Sequence, residues 1–136
     1  MPTPLLADVT LPRRARSVGQ ARHALTALVS DLRTADNAAL LISEAVANAV
    51  EHSRGPSVRI VIRHDHHSGE VLCQVRDSSP DLPAPRDTPA PVNDENGRGL
   101  HLITALSDAW GFEREPDGKH LWFRLSPGPY PGPAAG

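Results

Sequence analysis

The stretch that decides the fold is Leu40-Leu-Ile-Ser-Glu-Ala-Val-Ala-Asn-Ala-Val-Glu-His52. Its apolar residues recur at three- and four-residue steps, which is the period of an amphipathic helix. The stretch also places Glu44, Asn48 and His52 four residues apart, so these side chains stack along one helix face. We expect that face opposite the apolar stripe, on a helix running from about Asp36 to His52.

Patterns on either side of this helix predict five strands and two further helices. Strands joined in sequential hairpins, with the helices in one layer, predict an α+β fold and not a doubly wound one. This two-layer α/β sandwich has a mostly antiparallel sheet covered on one face by three helices. The flanking elements are a strand at Leu6–Leu11, a helix with its apolar face at Ala15–Leu32, strands at Ser57–His64 and Gly69–Asp77, a helix opened by Gly97-Arg98-Gly99, and strands at Ala109–Arg114 and Lys119–Leu125.

Two proline-rich segments lie outside the predicted helices and strands, one inside the domain and one after it. Residues 78–96 show no periodicity, and a loop of that length inside a compact domain is typical of a functional lid. The Pro/Gly-rich stretch 127–136 is expected to be a disordered tail. One domain spanning 1–126 therefore accounts for the rest of the chain.

The composition excludes several classes of function. A net charge of −2 gives no field that would steer the domain onto nucleic acid or an anionic membrane. Cys73 is the only cysteine, so an intramolecular disulfide is impossible. The sequence shows neither a signal peptide nor an apolar run of about 20 residues that could span a bilayer. A cytoplasmic location is expected.

Glu44 and Asn48 carry the first chemical signal. An amide oxygen can ligate Mg²⁺, and a carboxylate one turn away can accept a proton from a nucleophile. Taken alone, the pair fits an ordinary solvated polar face better. Asp77, at the end of a strand, could accept a hydrogen bond from an exocyclic amine, although alone it fits a turn-forming aspartate better.

The third signal is Asn96-Gly-Arg-Gly-Leu100 at a helix start, where glycines let the backbone approach a phosphate and the free N–H groups attract anions. Alone, such a pattern is weak. The three signals in this order, however, resemble the Bergerat-fold ATPases of gyrases, histidine kinases and heat-shock chaperones. Within that group the chain is similar to the short bacterial anti-sigma factor serine kinases over roughly Leu6 to Leu125.

The resemblance implies a role for each matching residue. Asn48 would ligate Mg²⁺, Glu44 would be the general base on a protein serine, and Asp77 would bind adenine. The ATP lid would be Ser78–Asn96. Phosphate-side contacts would come from Gly97, Arg98, Gly99 and Leu100.

Two departures from the family pattern concern the adenine side. The run after the aspartate is Asp77-Ser-Ser-Pro80, where the family usually has glycines. In the last strand, His120 is assigned to a position where a threonine or serine often helps to read adenine. Both departures affect the expected nucleotide contacts.

Three functions follow from the resemblance. The first is a kinase that uses ATP and Mg²⁺ to phosphorylate a serine of an anti-sigma factor antagonist, and that also binds a sigma factor. The second is a non-catalytic ATP-binding adaptor that acts through protein partners alone. The third, the catalytic piece of a sensor histidine kinase, is disfavoured because no helix pair bearing a phospho-accepting histidine precedes the domain. Relatives in this branch are often homodimers.

Overall fold

The computed structural model describes residues 3–29, 32–77 and 95–127 of the chain. Each predicted strand and helix is present, so the α+β prediction is confirmed. The described residues form β1 (Leu5–Pro12), α1 (Arg16–Leu28), α2 (Leu32–His52), β2 (Ser57–His64), β3 (Val71–Asp77), α3 (Glu95–Leu106), β4 (Ala109–Glu115) and β5 (Gly118–Leu125).

The boundary between the first two helices differs from the prediction. α1 ends at Leu28, and Val29 adopts an extended conformation with φ −102° and ψ 111°. Leu32 therefore begins α2, four residues before the predicted start at Asp36, instead of ending the first helix. Leu28 and Leu32 continue the four-residue step across the break, so the apolar period alone could not reveal it.

The sheet has the strand order β1-β2-β3-β5-β4, and all neighbouring strands are antiparallel. The predicted hairpins β2–β3 and β4–β5 are confirmed, and β5 lies between β3 and β4 in the sheet. β3 and β4 are each antiparallel to β5 and so run parallel to one another. Parallel strands need a long crossover connection, and α3 lies within it.

The three helices lie on one face of the sheet, with α2 in the middle, in contact with α1, α3, β2, β3 and β5. Small side chains on α2 allow this close packing from several sides, since Ala38, Ala45 and Ala49 are all buried between larger neighbours. Phe123 and Ile62 of the sheet are among the largest fully buried side chains. No helix within the described residues is both long and apolar enough to cross a membrane.

The other face of the sheet carries Trp122 over Gly111, its partner on the edge strand β4. A Cβ atom at Gly111 would lie 3.1 Å from Nε1 of Trp122, so a larger residue there would push against the indole ring. Cross-strand packing of an aromatic ring over a glycine compensates for the missing side chain. Trp122 is thus half-buried on the face without helices, whereas Phe123 points into the core.

Cys73 lies in the core, fully buried on β3. Burial raises the pKa of the Cys73 thiol, because the thiolate would lose its hydration. Since the thiolate is the reactive form, we expect no reaction with a thiol reagent at neutral pH in the folded protein and full reaction in denaturant. Absorbance with an aromatic disulfide reagent measures both, and rapid labelling without denaturant would contradict the burial.

Candidate functional site

Glu44 and Asn48 lie one turn apart on α2, separated by about 6 Å along the helix axis. Both side chains are half-buried and adjoin the buried Ala45 and Ala49. They therefore border the apolar stripe instead of lying opposite it. His52 is exposed at the helix end, 3.6 Å from Glu51, and does not share their surroundings.

Asp77 lies at the end of the sheet towards which the last turns of α2 run. Only residues 53–56 separate α2 from β2, and Val58 near the start of β2 is paired with Asp77 at the end of β3. α2 also packs directly on β3. The fold thus brings the end of α2, which carries Asn48, to the same end of the sheet as Asp77.

The start of α3 points towards this end as well. Only two residues join α3 to β4, and β4 begins at Ala109, opposite Arg124 at the far end of β5. The 12 residues of α3 span about 18 Å, so the helix runs back along the sheet while packing on α2. The N–H groups of its first turn, which have no partner within the helix, therefore lie towards the end of the sheet that carries Asp77, and such groups can bind an anion.

The glycines lie inside α3 instead of forming a turn before it. The helix begins at Glu95, two residues ahead of Gly97, and Gly97-Arg98-Gly99-Leu100 occupies its first two turns. Their backbone helps to form the positive helix end, and the side-chain role of Arg98 stays a prediction. Of the predicted lid, residues 78–94 lie outside the described residues.

His120 lies on the opposite face of the sheet from Asp77. It is paired with Arg76, whose side chain alternates with that of Asp77, and it is buried between two carboxylates of β4. Its Nδ1 is 2.7 Å from Oε1 of Glu115, and its Nε2 is 3.4 Å from Oε2 of Glu113. The assignment of His120 to the adenine side is therefore corrected: the side chain belongs to a polar cluster on the helix-free face.

Lys119, the residue before His120, lies on the same face of the sheet as Asp77. It is the only lysine of the chain, it is buried, and it lies directly opposite Asp77 in the β3–β5 pairing. Directly opposed residues of antiparallel strands share a face of the sheet. The alternation of Leu121, Phe123 and Leu125 predicts this orientation, since odd-numbered residues of β5 face the helices.

A sequence model of the histidine kinase-like ATPase domain matches residues 11–125, which include every described element except the first part of β1. The chain belongs to this family. Membership supports an ATP-binding function for the ATPase domain. It is consistent with a site at the end of the sheet where α2, β3 and α3 converge.

The chain is also similar to one sequence relative and, in its fold, to solved structures. An uncharacterized protein of Streptomyces coelicolor is 33% identical over 76 residues, which are 56% of the ATPase domain chain and 72% of that protein. The histidine kinase domain of the Erythrobacter litoralis EL346 blue-light activated histidine kinase shares the fold, with a TM-score of 0.52 and 18% identity. A second structure of that kinase gives 0.53 and 18%. The match covers 86% of this chain, but only 62% and 42% of the two solved chains.

The groups at this end of the sheet fit a magnesium nucleotide. Asn48 offers an amide oxygen, the start of α3 offers N–H groups, and Asp77 offers a carboxylate acceptor. Within 3–29, 32–77 and 95–127, no group of three or more His, Cys, Asp or Glu side chains could hold a metal by itself. Mg²⁺ in nucleotide sites keeps waters and phosphate oxygens as ligands, so it needs few ligands from the protein.

Proposed function

We propose that the ATPase domain is a protein-serine kinase that phosphorylates an anti-sigma factor antagonist and binds a sigma factor. The observation that carries the proposal is the position of Glu44. A half-buried carboxylate, one turn from the proposed magnesium ligand Asn48, lies on the helix that packs against both β3 and α3. A group so placed can reach a hydroxyl that approaches the phosphate end of a nucleotide.

Each part of the site contributes to positioning and charge stabilisation, which dominate phosphoryl transfer. Asn48 supplies an oxygen to Mg²⁺, and the start of α3 holds the phosphates through its N–H groups. Asp77 accepts a hydrogen bond from the exocyclic amine of adenine. Bound Mg²⁺ supplies neutralisation of the phosphate charge.

The hydroxyl oxygen of the substrate serine forms a bond to the γ-phosphorus, and Glu44 accepts the proton that this hydroxyl loses. The bond between that phosphorus and the β–γ bridging oxygen breaks, and ADP leaves with the electron pair. The antagonist gains about −1.5 to −2 charges, which is enough to disrupt an interface and release the kinase for its sigma factor. The exposed side of α1, with Arg16, Arg22 and His23, is a surface for such protein partners.

A non-catalytic ATP-binding adaptor is the rival function. The run Asp77-Ser-Ser-Pro80 favours it, because glycines are missing where the family usually has them. The two functions differ in what happens to the γ-phosphoryl group. The adaptor binds ATP and its protein partners without transferring phosphate.

The test incubates the protein with γ-labelled Mg-ATP and a candidate antagonist protein, and then locates the label by mass spectrometry. The kinase function predicts phosphoserine on the antagonist and an equal amount of ADP. Measurable ATP binding without label on any candidate would favour the adaptor. Absence of ATP binding by titration calorimetry would contradict both functions.

The Asn48→Ala substitution is expected to weaken ATP binding in Mg²⁺ by roughly tenfold, or about 1.4 kcal/mol, because one metal ligand is lost. In excess chelator, the variant and the wild type are expected to bind ATP equally. Asn37→Ala is the matched control, since Asn37 is exposed on the same helix. Titration calorimetry with and without Mg²⁺ measures all three proteins, and an equal loss for Asn48→Ala in chelator would rule out the metal-ligand role.

A further inference from the structure

Arg13 joins two connections of the chain at the end of the sheet that carries Asp77. It follows the last residue of β1, and its backbone N–H donates to the carbonyl oxygen of Pro56, 3.0 Å away. Its side chain donates twice more, from Nε to the carbonyl oxygen of Gly55 at 2.5 Å and from Nη1 to that of Val50 at 3.0 Å. The β1–α1 connection is therefore bonded both to the end of α2 and to the loop that follows it.

The end of α2 needs donors of this kind. The last four carbonyl groups of a helix have no partner within it, and the negative end of the helix dipole lies there. In α2 these carbonyls belong to residues 49–52. The N–H of Ser53 donates to Ala49, and the guanidinium of Arg13 donates to Val50. A cation from a separate element thus stabilises this end of the helix.

The backbone that carries Arg13 is itself held in place. Ser17 has no exposed surface, and its hydroxyl donates to the carbonyl oxygen of Pro12 at 2.5 Å. The N–H of Ser17 donates to the carbonyl oxygen of Arg14, on the other side of Arg13. A guanidinium group presents its donors in a rigid planar fork, which lets it reach two carbonyl groups at once. A side chain so anchored fixes the position of the helix end relative to the sheet.

The bonds of Arg13 bear directly on the proposed magnesium ligand. Asn48 lies one turn before the last residue of α2 and two residues before Val50. Helices fray from their ends, so an end that loses its bonds disorders its last turn first. Fraying from this end would reach Asn48 before Glu44, which lies one turn further into the helix. Arg13 therefore affects the orientation of Asn48 more than that of the proposed general base.

We propose that Arg13 is a positioning residue for the binding of Mg-ATP, because it holds the last turn of α2 against the β1–α1 connection and so orients the amide of Asn48. This inference rests on the proposed nucleotide site. Arg13 contacts neither the metal nor the nucleotide in this role and acts through Asn48. The last turn is ordered before the ligand arrives, so binding does not bear the entropy cost of ordering it.

The test is a double-mutant cycle. Arg13→Met keeps most of the side-chain stem and removes the donors. It is combined with Asn48→Ala, and ATP is titrated into all four proteins with Mg²⁺ and with excess chelator. We expect Arg13→Met to weaken Mg-ATP binding roughly threefold, less than Asn48→Ala does, because the ligand is misplaced but not removed. The double variant is expected to bind Mg-ATP as Asn48→Ala does, and Arg13→Met should match the wild type in chelator.

Arg14→Met is the matched control and should bind Mg-ATP like the wild type, since the neighbouring Arg14 side chain is exposed. Equal Mg-ATP affinity of Arg13→Met and the wild type would overturn the inference, as would an equal loss in chelator. Losses that multiply in the double variant would also overturn it, because Arg13 would then act independently of Asn48. In these three cases the nucleotide site stands. Failure of the wild type to bind ATP would remove the site and the inference with it.

Hydrogen exchange followed by mass spectrometry tests the contact itself. Residues 49–55 are expected to exchange several-fold faster in Arg13→Met than in the wild type, whereas β3 should be unchanged. Faster exchange in both regions would indicate a general loss of stability and contradict the local role. A further measurement needs no variant. In the wild type, Mg-ATP is expected to slow exchange of residues 49–55 more than ATP in chelator, since coupling between two sites is reciprocal. Equal exchange with both ligands at equal occupancy would contradict the positioning of Asn48 by this turn.

Discussion

Replacement of Glu44 by glutamine is expected to lower the rate of phosphoryl transfer by about 10²–10⁴-fold, the usual contribution of a general base. Glutamine keeps the size and most of the polarity of the side chain but cannot accept the serine proton. Because Glu44 contacts no part of the ATP in the proposed arrangement, ATP affinity should change little. Single-turnover transfer of labelled phosphate, with affinity from calorimetry, separates the two effects.

Glu51→Gln is the matched control. Glu51 lies on the same helix, but its side chain is 53% exposed, and it neighbours His52 at the helix end. This substitution should leave transfer within about twofold of the wild type, since exposed changes away from a site have small effects. A similar loss of transfer in both variants would indicate a general effect on α2 instead of a proton acceptor at position 44.

Truncation of Phe123 to alanine is expected to destabilise the fold by about 3–5 kcal/mol. Phe123 has no exposed surface and lies in β5, between Cys73 of β3 and Trp110 of β4. The loss combines the free energy of transferring the ring out of water with the cost of the cavity that is left. This cavity would lie in the core between the sheet and the helices. It is a large part of the 5–15 kcal/mol that stabilises a typical domain.

Urea unfolding followed by tryptophan fluorescence measures this loss. Phe112→Ala is the control, because Phe112 lies on the edge strand β4 and is only partly buried. The control should cost clearly less than Phe123→Ala. Equal losses for the two variants, or a loss below 1 kcal/mol for Phe123→Ala, would contradict the central position assigned to Phe123.

Local patterns predicted the elements, because alternation and helical periods depend on neighbouring residues. Ser57–His64 is a strand in the prediction and in the structure. The strand order could not be predicted in the same way. Insertion of β5 between β3 and β4 depends on contacts between distant residues, which leave no periodic signal. The start of α2 at Leu32 was missed because the apolar period continues across the break.

In the candidate site as well, local patterns predicted some features, whereas others depend on contacts between distant residues. Spacing identified Glu44 and Asn48 as a pair, but only the packing of α2 on β3 and α3 shows that they border the buried face. His120 faces away from Asp77, because a step of one residue along a strand reverses the face. Counting back from Leu121, Phe123 and Leu125 would have identified Lys119 as the residue that shares a face with Asp77, since these three lie on the same side of the sheet.

The position of β5 also constrains how the chain folds during synthesis. β4 has β5 as its only neighbour in the sheet, so β4 cannot join the sheet until the ribosome has released the later strand. α3 precedes both strands in the chain and packs mainly on α2, so it can dock earlier, beside the first three strands and two helices. The sheet is completed only after Leu125 has emerged, and a nascent chain halted before β5 leaves β3, with Asp77, as an unpaired sheet edge.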